Sequence, residues 1–144
     1  MNLGKNTKVT LVNNGETAGT GTITSDEIDM TGYEGCLFIV HMGTIVSGAA
    51  TTCFVRQAIA TGMSGGAELS GTIITILDSE DDTVFLMDVY RPAEQFLDVQ
   101  VTRATQDATI QGITAIQYGP RKAPPTHDAS TVSQTTTVAG PDEA

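Results

Sequence analysis

The sequence predicts an all-β protein: an antiparallel β-sandwich, jelly-roll-like, of about eight strands with an extended C-terminal arm. Three observations carry this expectation. Threonine occurs 23 times in 144 residues, and a β-branched polar side chain suits the wet face of a strand. Strand-like runs recur at spacings of about 8 to 15 residues, joined mostly by Gly-, Asn- and Asp-rich turns. No window keeps apolar residues at helical spacing.

The elements follow in order. Residues 8–12 (K-V-T-L-V) form a first strand, closed by Asn13-Asn14-Gly15. Residues 17–24 are Gly- and Thr-rich and fit an edge strand, and 27–30 alternate through Ile28 and Met30. Residues 35–42 (G-C-L-F-I-V-H-M) are apolar on both faces, as a central strand covered on each side must be. Residues 44–50 read as a small-residue turn and 51–59 as the next strand. Three glycines make 60–66 a loop. Residues 68–77 hold one strand or two short ones, and 78–82 make an acidic turn. Residues 83–90 form a strand that ends at Arg91-Pro92, since proline has no donor for the ladder. In 97–102, Leu97, Val99 and Val101 point one way and Asp98, Gln100 and Thr102 the other, giving one dry and one wet face. Residues 104–107 read as a turn, and 108–118 as the last strand, bulged at Gly112 where the alternation breaks.

The length suits one domain, with a body over 1–119 and an arm over 120–144. The arm is rich in Pro, Ser and Thr and has too few apolar residues to offset its own ordering entropy. It is expected to lie on a neighbouring subunit or on the second face of the 84–90 strand. A net charge of −10 with only 7 Lys and Arg excludes a basic nucleic-acid surface. No run approaches the ~18 apolar residues that span a bilayer, and the N-terminus lacks the apolar core of a signal peptide. Cys36 and Cys53 are expected as two buried thiols rather than a disulfide.

The chain shows no catalytic constellation and no cofactor motif. Asp78, Glu80, Asp81 and Asp82 lack the central glycine and fixed offsets of a calcium loop and read as a solvated turn. His41 reads as a hydrogen-bonded strand-end residue, on the opposite face from Cys36, and His127 lies in the arm without companions at metal-ligand spacing. Asp88, Glu94 and Asp98 could supply a carboxylate pair, but no tryptophan is present to stack a sugar. Arg91 is either a surface arginine or a fork that grips a carboxylate or main chain across an interface. The residues expected at an interface are Tyr90, Arg91 and Pro92 at the sheet rim and Arg121, Lys122, Pro124 and Pro125 in the arm.

The segment V-F-L-M-D-V-Y-R-P-A-E-Q-F-L-D-V-Q-V-T-R-A-T-Q-D-A-T-I-Q-G-I-T-A-I-Q-Y-G-P-R-K-A-P-P, together with I-D-M-T-G-Y-E-G-C-L-F-I-V-H-M-G-T-I upstream, resembles small structural proteins of tailed bacteriophages. The resemblance covers about half the chain. It implies a capsid decoration, or cement, protein with a jelly-roll-like β fold, located on the outer surface of the virion and assembled in the host cytoplasm. The implied partners are the major capsid protein and further copies of the chain, as a dimer or trimer, with no nucleic acid and no membrane. The alternative from another class is a carbohydrate-binding β-sandwich of a phage fibre or tail. The absence of Trp and an aromatic content of 5% weigh against it.

Overall fold

The computed structural model describes residues 1–140; the last four residues of the arm, 141–144, lie outside the described residues. A single α-helical turn, α1 (Leu3–Asn6), precedes nine strands: β1 (Thr7–Asn13), β2 (Glu16–Thr24), β3 (Ile28–Asp29), β4 (Gly35–Ile45), β5 (Ala50–Ala58), β6 (Ala67–Glu68), β7 (Ile74–Ile76), β8 (Val84–Tyr90) and β9 (Phe96–Tyr118). All belong to one antiparallel sheet. The sheet curls so that its inner face closes on a single core, and the two layers of the expected sandwich are its two halves.

Strand β9 is the spine. Along one edge β1, β2 and β3 follow each other in chain order, with Thr7 opposite Tyr118 and Asp29 opposite Phe96. Along the other edge β4 and β5 do the same, with Gly35 opposite Tyr118 and Ala58 opposite Phe96. Strand β8 adds outside β4, and the short β6 and β7 outside β5. The expected break at 104–107 is therefore not a turn. The strand runs through it: β2 continues past on one edge, and on the other the β4–β5 connection spans the gap between Ile45, opposite Ala108, and Ala50, opposite Ala104, with Val46 N donating to Asp107 O at 2.9 Å. Thr105, at φ 70°, takes up the distortion.

A 23-residue strand cannot keep one face on a closed, curled core without correction. The residues of β9 that face the core are Leu97, Val99, Val101 and Arg103, then Ala108 and Ile110, then Ile113, Ala115 and Gln117. The parity changes twice. The first change spans 104–107. The second lies at Gly112, where His41 pairs with Gly112 but Met42 pairs with Ile110, so β9 carries one extra residue. This is the bulge expected from the sequence, and it re-aims the strand so that apolar residues stay inside.

Opposite β9, the core is filled by Cys36, Phe38, Val40 and Met42 of β4, Cys53 and Val55 of β5, and Met87 and Val89 of β8. Burial of a Val, Leu, Ile, Phe or Met side chain is worth roughly 1.5–3 kcal/mol each, and these residues supply most of the drive to fold. Both cysteines are free and fully buried, as expected.

One buried charge sits at the first parity change. Arg103 is only 8% exposed. Its Nη1 donates to Thr17 O at 2.9 Å and to Ala108 O at 2.8 Å, and its Nε and Nη2 reach Gly21 O and Thr20 O at 3.4 Å. The planar fork thus collects carbonyls that the bent β2–β9 ladder leaves unpaired. Its parity follows from Leu97, Val99 and Val101, so a buried arginine was implicit in the alternation.

Residues 119–140 hold no helix or strand, and they return to their own body. Arg121 N donates to Gly32 O at 2.8 Å, and His127 Nδ1 accepts from Val9 N at 3.1 Å. The second bond satisfies a donor on the edge of β1 that faces away from β9. The segment therefore docks on the edge opposite β8, not on the second face of 84–90.

Replacing Arg103 by Met is expected to lower unfolding free energy by about 2–4 kcal/mol, because the carbonyls stay buried without a donor. Urea denaturation measures this, and Arg103→Lys is expected to recover less than half, since an ammonium cannot reach both sides of the bend. Cys36 and Cys53 should stay unreactive toward a thiol reagent at pH 8 and both react after denaturation; burial pushes the Cys53 thiol up to about 12 and Cys36 up as well.

Candidate interaction surface

The half of the sheet made by β1, the C-terminal part of β9, β4 and β8 has an outer face that is apolar almost throughout. Register places Leu11, Thr114, Ile39 and Leu86 in one row and Val9, Ile116, Leu37 and Asp88 in the next. Thr7, Tyr118, Gly35 and Tyr90 form a third row. Val84 is 52% exposed, Leu86 57% and Tyr90 58%, while Leu37, Ile39 and Ile116 are half-buried. The α1 turn overhangs this face, so that Met1 and Leu3 with Val9, Leu37 and Ile116 enclose an apolar groove of about 750 Å³. The sequence pattern of 35–42 and 84–90 asked for cover on both faces, and the structure buries only the inner one.

At the end of this face three loops make a second, polar cleft of about 900 Å³. Its walls come from residues 30–34, 91–95 and 119–121. Main-chain bonds stitch these loops together: Met30 N to Gln95 O, Arg91 N to Glu34 O, Glu34 N to Tyr118 O and Arg121 N to Gly32 O. Arg91, Pro92 and Arg121 are thus brought together as wall residues. Tyr90 stands beside them, its ring 5.1 Å from the Arg91 guanidinium carbon. Arg91 adopts φ 51°, a strained value for a non-glycine residue, and its Nη2 is 3.5 Å from Glu34 Oε1. That separation is long for an ion pair, and both groups are largely exposed, so most of the guanidinium's donor capacity faces water. Lys122, Pro124 and Pro125 do not line this cleft; they continue along the arm beyond it.

Tyr118 joins the groove to the cleft. Its hydroxyl donates to Asp88 Oδ1 at 2.6 Å. Burial, then the bond to Asp88 and its charge, push the phenol well above its ordinary range, so it remains a donor. The ring lies directly on Gly35, where any Cβ would collide with Cζ and Oη. Glycine is required there by close approach, at an ordinary strand φ.

The carboxylates have structural employment. Asp98, expected on a wet face, is 1% exposed and paired with Arg56, its cross-strand neighbour on β5. The Arg56 side chain occupies what the alternation read as solvent-facing, and the bond to Asp98 raises the Arg56 pKa. Asp78 Oδ2 accepts from Gly48 N at 2.6 Å and Asp81 Oδ1 from Ile45 N at 2.8 Å. Glu80 Oε2 accepts from Leu77 N at 2.8 Å. The acidic turn is therefore a tether for the β4–β5 hairpin and only partly a solvated loop. His41 is not at a strand end: β4 continues to Ile45, and His41 lies between Val84 and Gly112 on the outer face. Among the described residues no three His, Cys, Asp or Glu side chains gather as a metal site. What the surface offers is apolar area flanked by guanidinium donors, which is the chemistry of association.

Neither a protein-family model nor a curated protein matches the chain. Among solved structures, the SPBc2 prophage-derived protein YomS aligns over 78% of this chain and 95% of its own, with a TM-score of 0.48 and 11% identity.

Gly35→Ala is expected to displace the Tyr118 ring, break its bond to Asp88 and cost about 1–3 kcal/mol, the range for overpacking. Thermal unfolding checks the cost. Tyrosine absorbance against pH checks the geometry: one phenol that titrates well above the ordinary range in the wild type should move down in the variant.

Proposed function

We propose that the protein is a structural phage capsid decoration (cement) protein, which binds the outer surface of the major capsid protein shell and braces the seams between capsomers. The observation that carries this reading is the uncovered apolar outer face of β1, β9, β4 and β8. A protein of net charge −10 repels its neighbours at long range, so it gains little from exposing Leu11, Val84, Leu86 and Tyr90 unless something covers them. The sequence resemblance to phage head proteins supplies the shell as the cover.

The physics suits such a role. A ligand that binds only the assembled shell stabilises it by mass action. The curled sheet is stiff, so binding orders few side chains and loses little conformational entropy. Arg91 and Arg121, at the end of the apolar face, are placed to meet carboxylates or main-chain carbonyls of the shell once the face is seated. The apolar rows supply affinity and the guanidinium pair supplies orientation.

Purified shells mixed with the protein and sedimented test this reading. Wild-type protein should pellet with the shells. Leu11→Asp, which sits on the exposed face away from the β8 edge, should bind at least about tenfold more weakly while keeping its fold by circular dichroism. Undiminished pelleting of this variant, or failure of the wild type to pellet at all, overturns the proposal.

A further inference from the structure

We propose that β8 is a homotypic edge: two copies of the chain join by antiparallel pairing of their β8 strands about a two-fold axis. The phase of the β4–β8 ladder defines which groups are free. Met42 N donates to Thr83 O at one end of β8, and Arg91 N donates to Glu34 O at the other. Thr83 and Arg91 therefore turn their main-chain groups toward β4, and so do Phe85, Met87 and Val89 between them. Val84, Leu86, Asp88 and Tyr90 turn theirs outward. No strand pairs with β8 on that side, and among the described residues no other group bonds to them. One donor and one acceptor on each of four consecutive alternate residues stand open.

This edge lacks the usual protection. Residues 84–90 contain no Lys, no Pro and no bulge, and the outward side chains include Val84, Leu86 and Tyr90. The chain protects its other outer edge differently, with His127 bonded to Val9 N on β1. The strand is also bounded alike at both ends, by Asp82 at φ 54° and Arg91 at φ 51°, so both ends turn out of the ladder.

A second copy fits better than an unrelated strand because the edge is complementary to itself. Full antiparallel overlap sets Val84 opposite the second copy's Tyr90 and Leu86 opposite its Asp88, and all the open donors and acceptors are then satisfied. The β-branched and aromatic pair is a favourable cross-strand neighbour. The same register brings each copy's Arg91 beside the other's Thr83 and Asp82, so an exposed guanidinium meets the acidic turn twice across the axis. Residues directly opposite share a face, so both apolar outer faces point the same way. If the decoration reading holds, the pair presents two shell-binding faces at once, and the second contact gains through effective concentration. The pairing itself does not depend on that reading.

Analytical ultracentrifugation of the full chain at about 100 μM, where small interfaces of this kind associate, should show twice the monomer mass. Leu86→Lys, a change at an exposed side chain, should return the monomer with unchanged circular dichroism and melting temperature. Amide exchange by NMR gives the decisive signature. The amides of Leu86 and Asp88 should exchange at least about tenfold more slowly in the concentrated wild type than after dilution, while Phe85, Met87 and Val89 stay protected in both. A wild type that remains monomeric overturns the proposal. So does a dimer whose Leu86 and Asp88 amides exchange as fast as in the monomer, or one that survives Leu86→Lys. Shell binding is read separately, through Leu11→Asp.

Discussion

The fold depends on keeping one very long strand in register with a closed core. Strand β9 touches β1, β2 and β3 on one edge and β4 and β5 on the other. The remaining strands, β6, β7 and β8, are held at one remove, through β5 and β4. Two local devices make that possible: the Arg103 fork, which collects carbonyls at the first parity change, and the Gly112 bulge at the second. A one-residue slip would send every following side chain to the wrong face. The two corrections let 23 residues curl without exposing Ile110, Ile113 or Ala115. An arginine suits the first site because its donors spread in a plane, and carbonyl oxygens rather than a carboxylate receive them.

That economy inside leaves the outside unfinished. Curling gives the sheet one buried face and one that faces water. On the β5 side the outer face is occupied by the Arg56–Asp98 pair and the loop that Glu27 ties down through Thr61, Gly62 and Met63. On the β8 side it is apolar and bare. The two halves of the sheet thus differ: the outer face of one is covered by its own side chains, and that of the other leaves Leu11, Val84, Leu86 and Tyr90 exposed. Tyr118, held over Gly35 and bonded to Asp88, marks the border between the apolar face and the arginine cleft.

Edges tell the same story as faces. The β1 edge is met by the returning C-terminal segment through His127, and the β8 edge is met by nothing among the described residues. Main-chain donors and acceptors on a long edge are strong, directional and indifferent to sequence, so the tail's position decides which edge is left open. The side chains then decide whether pairing is tolerated, and the one charge within 84–90, Asp88, is already bonded to the Tyr118 hydroxyl.

The sequence pattern made legible the all-β class, the central position of the strand over 35–42, the buried thiols and the bulge at Gly112, and it left 68–77 as one strand or two, where the structure has two short ones. These are legible because a strand's side-chain period is local and the core selects one parity. Even Arg103 was implicit, two residues beyond Val101 on the dry face. Only the tertiary structure decided that 96–118 is one strand, since residues 104–107 look like a turn until β2 runs past them on one edge and β4 and β5 pair on either side of them on the other. It alone buried Asp98 against Arg56, which lies 42 residues away in sequence. It also sent the proline-rich segment to β1 and gathered Arg91, Pro92 and Arg121 into one cleft. Each of these outcomes rests on which segment lies beside which, and long-range neighbours leave no period in the chain.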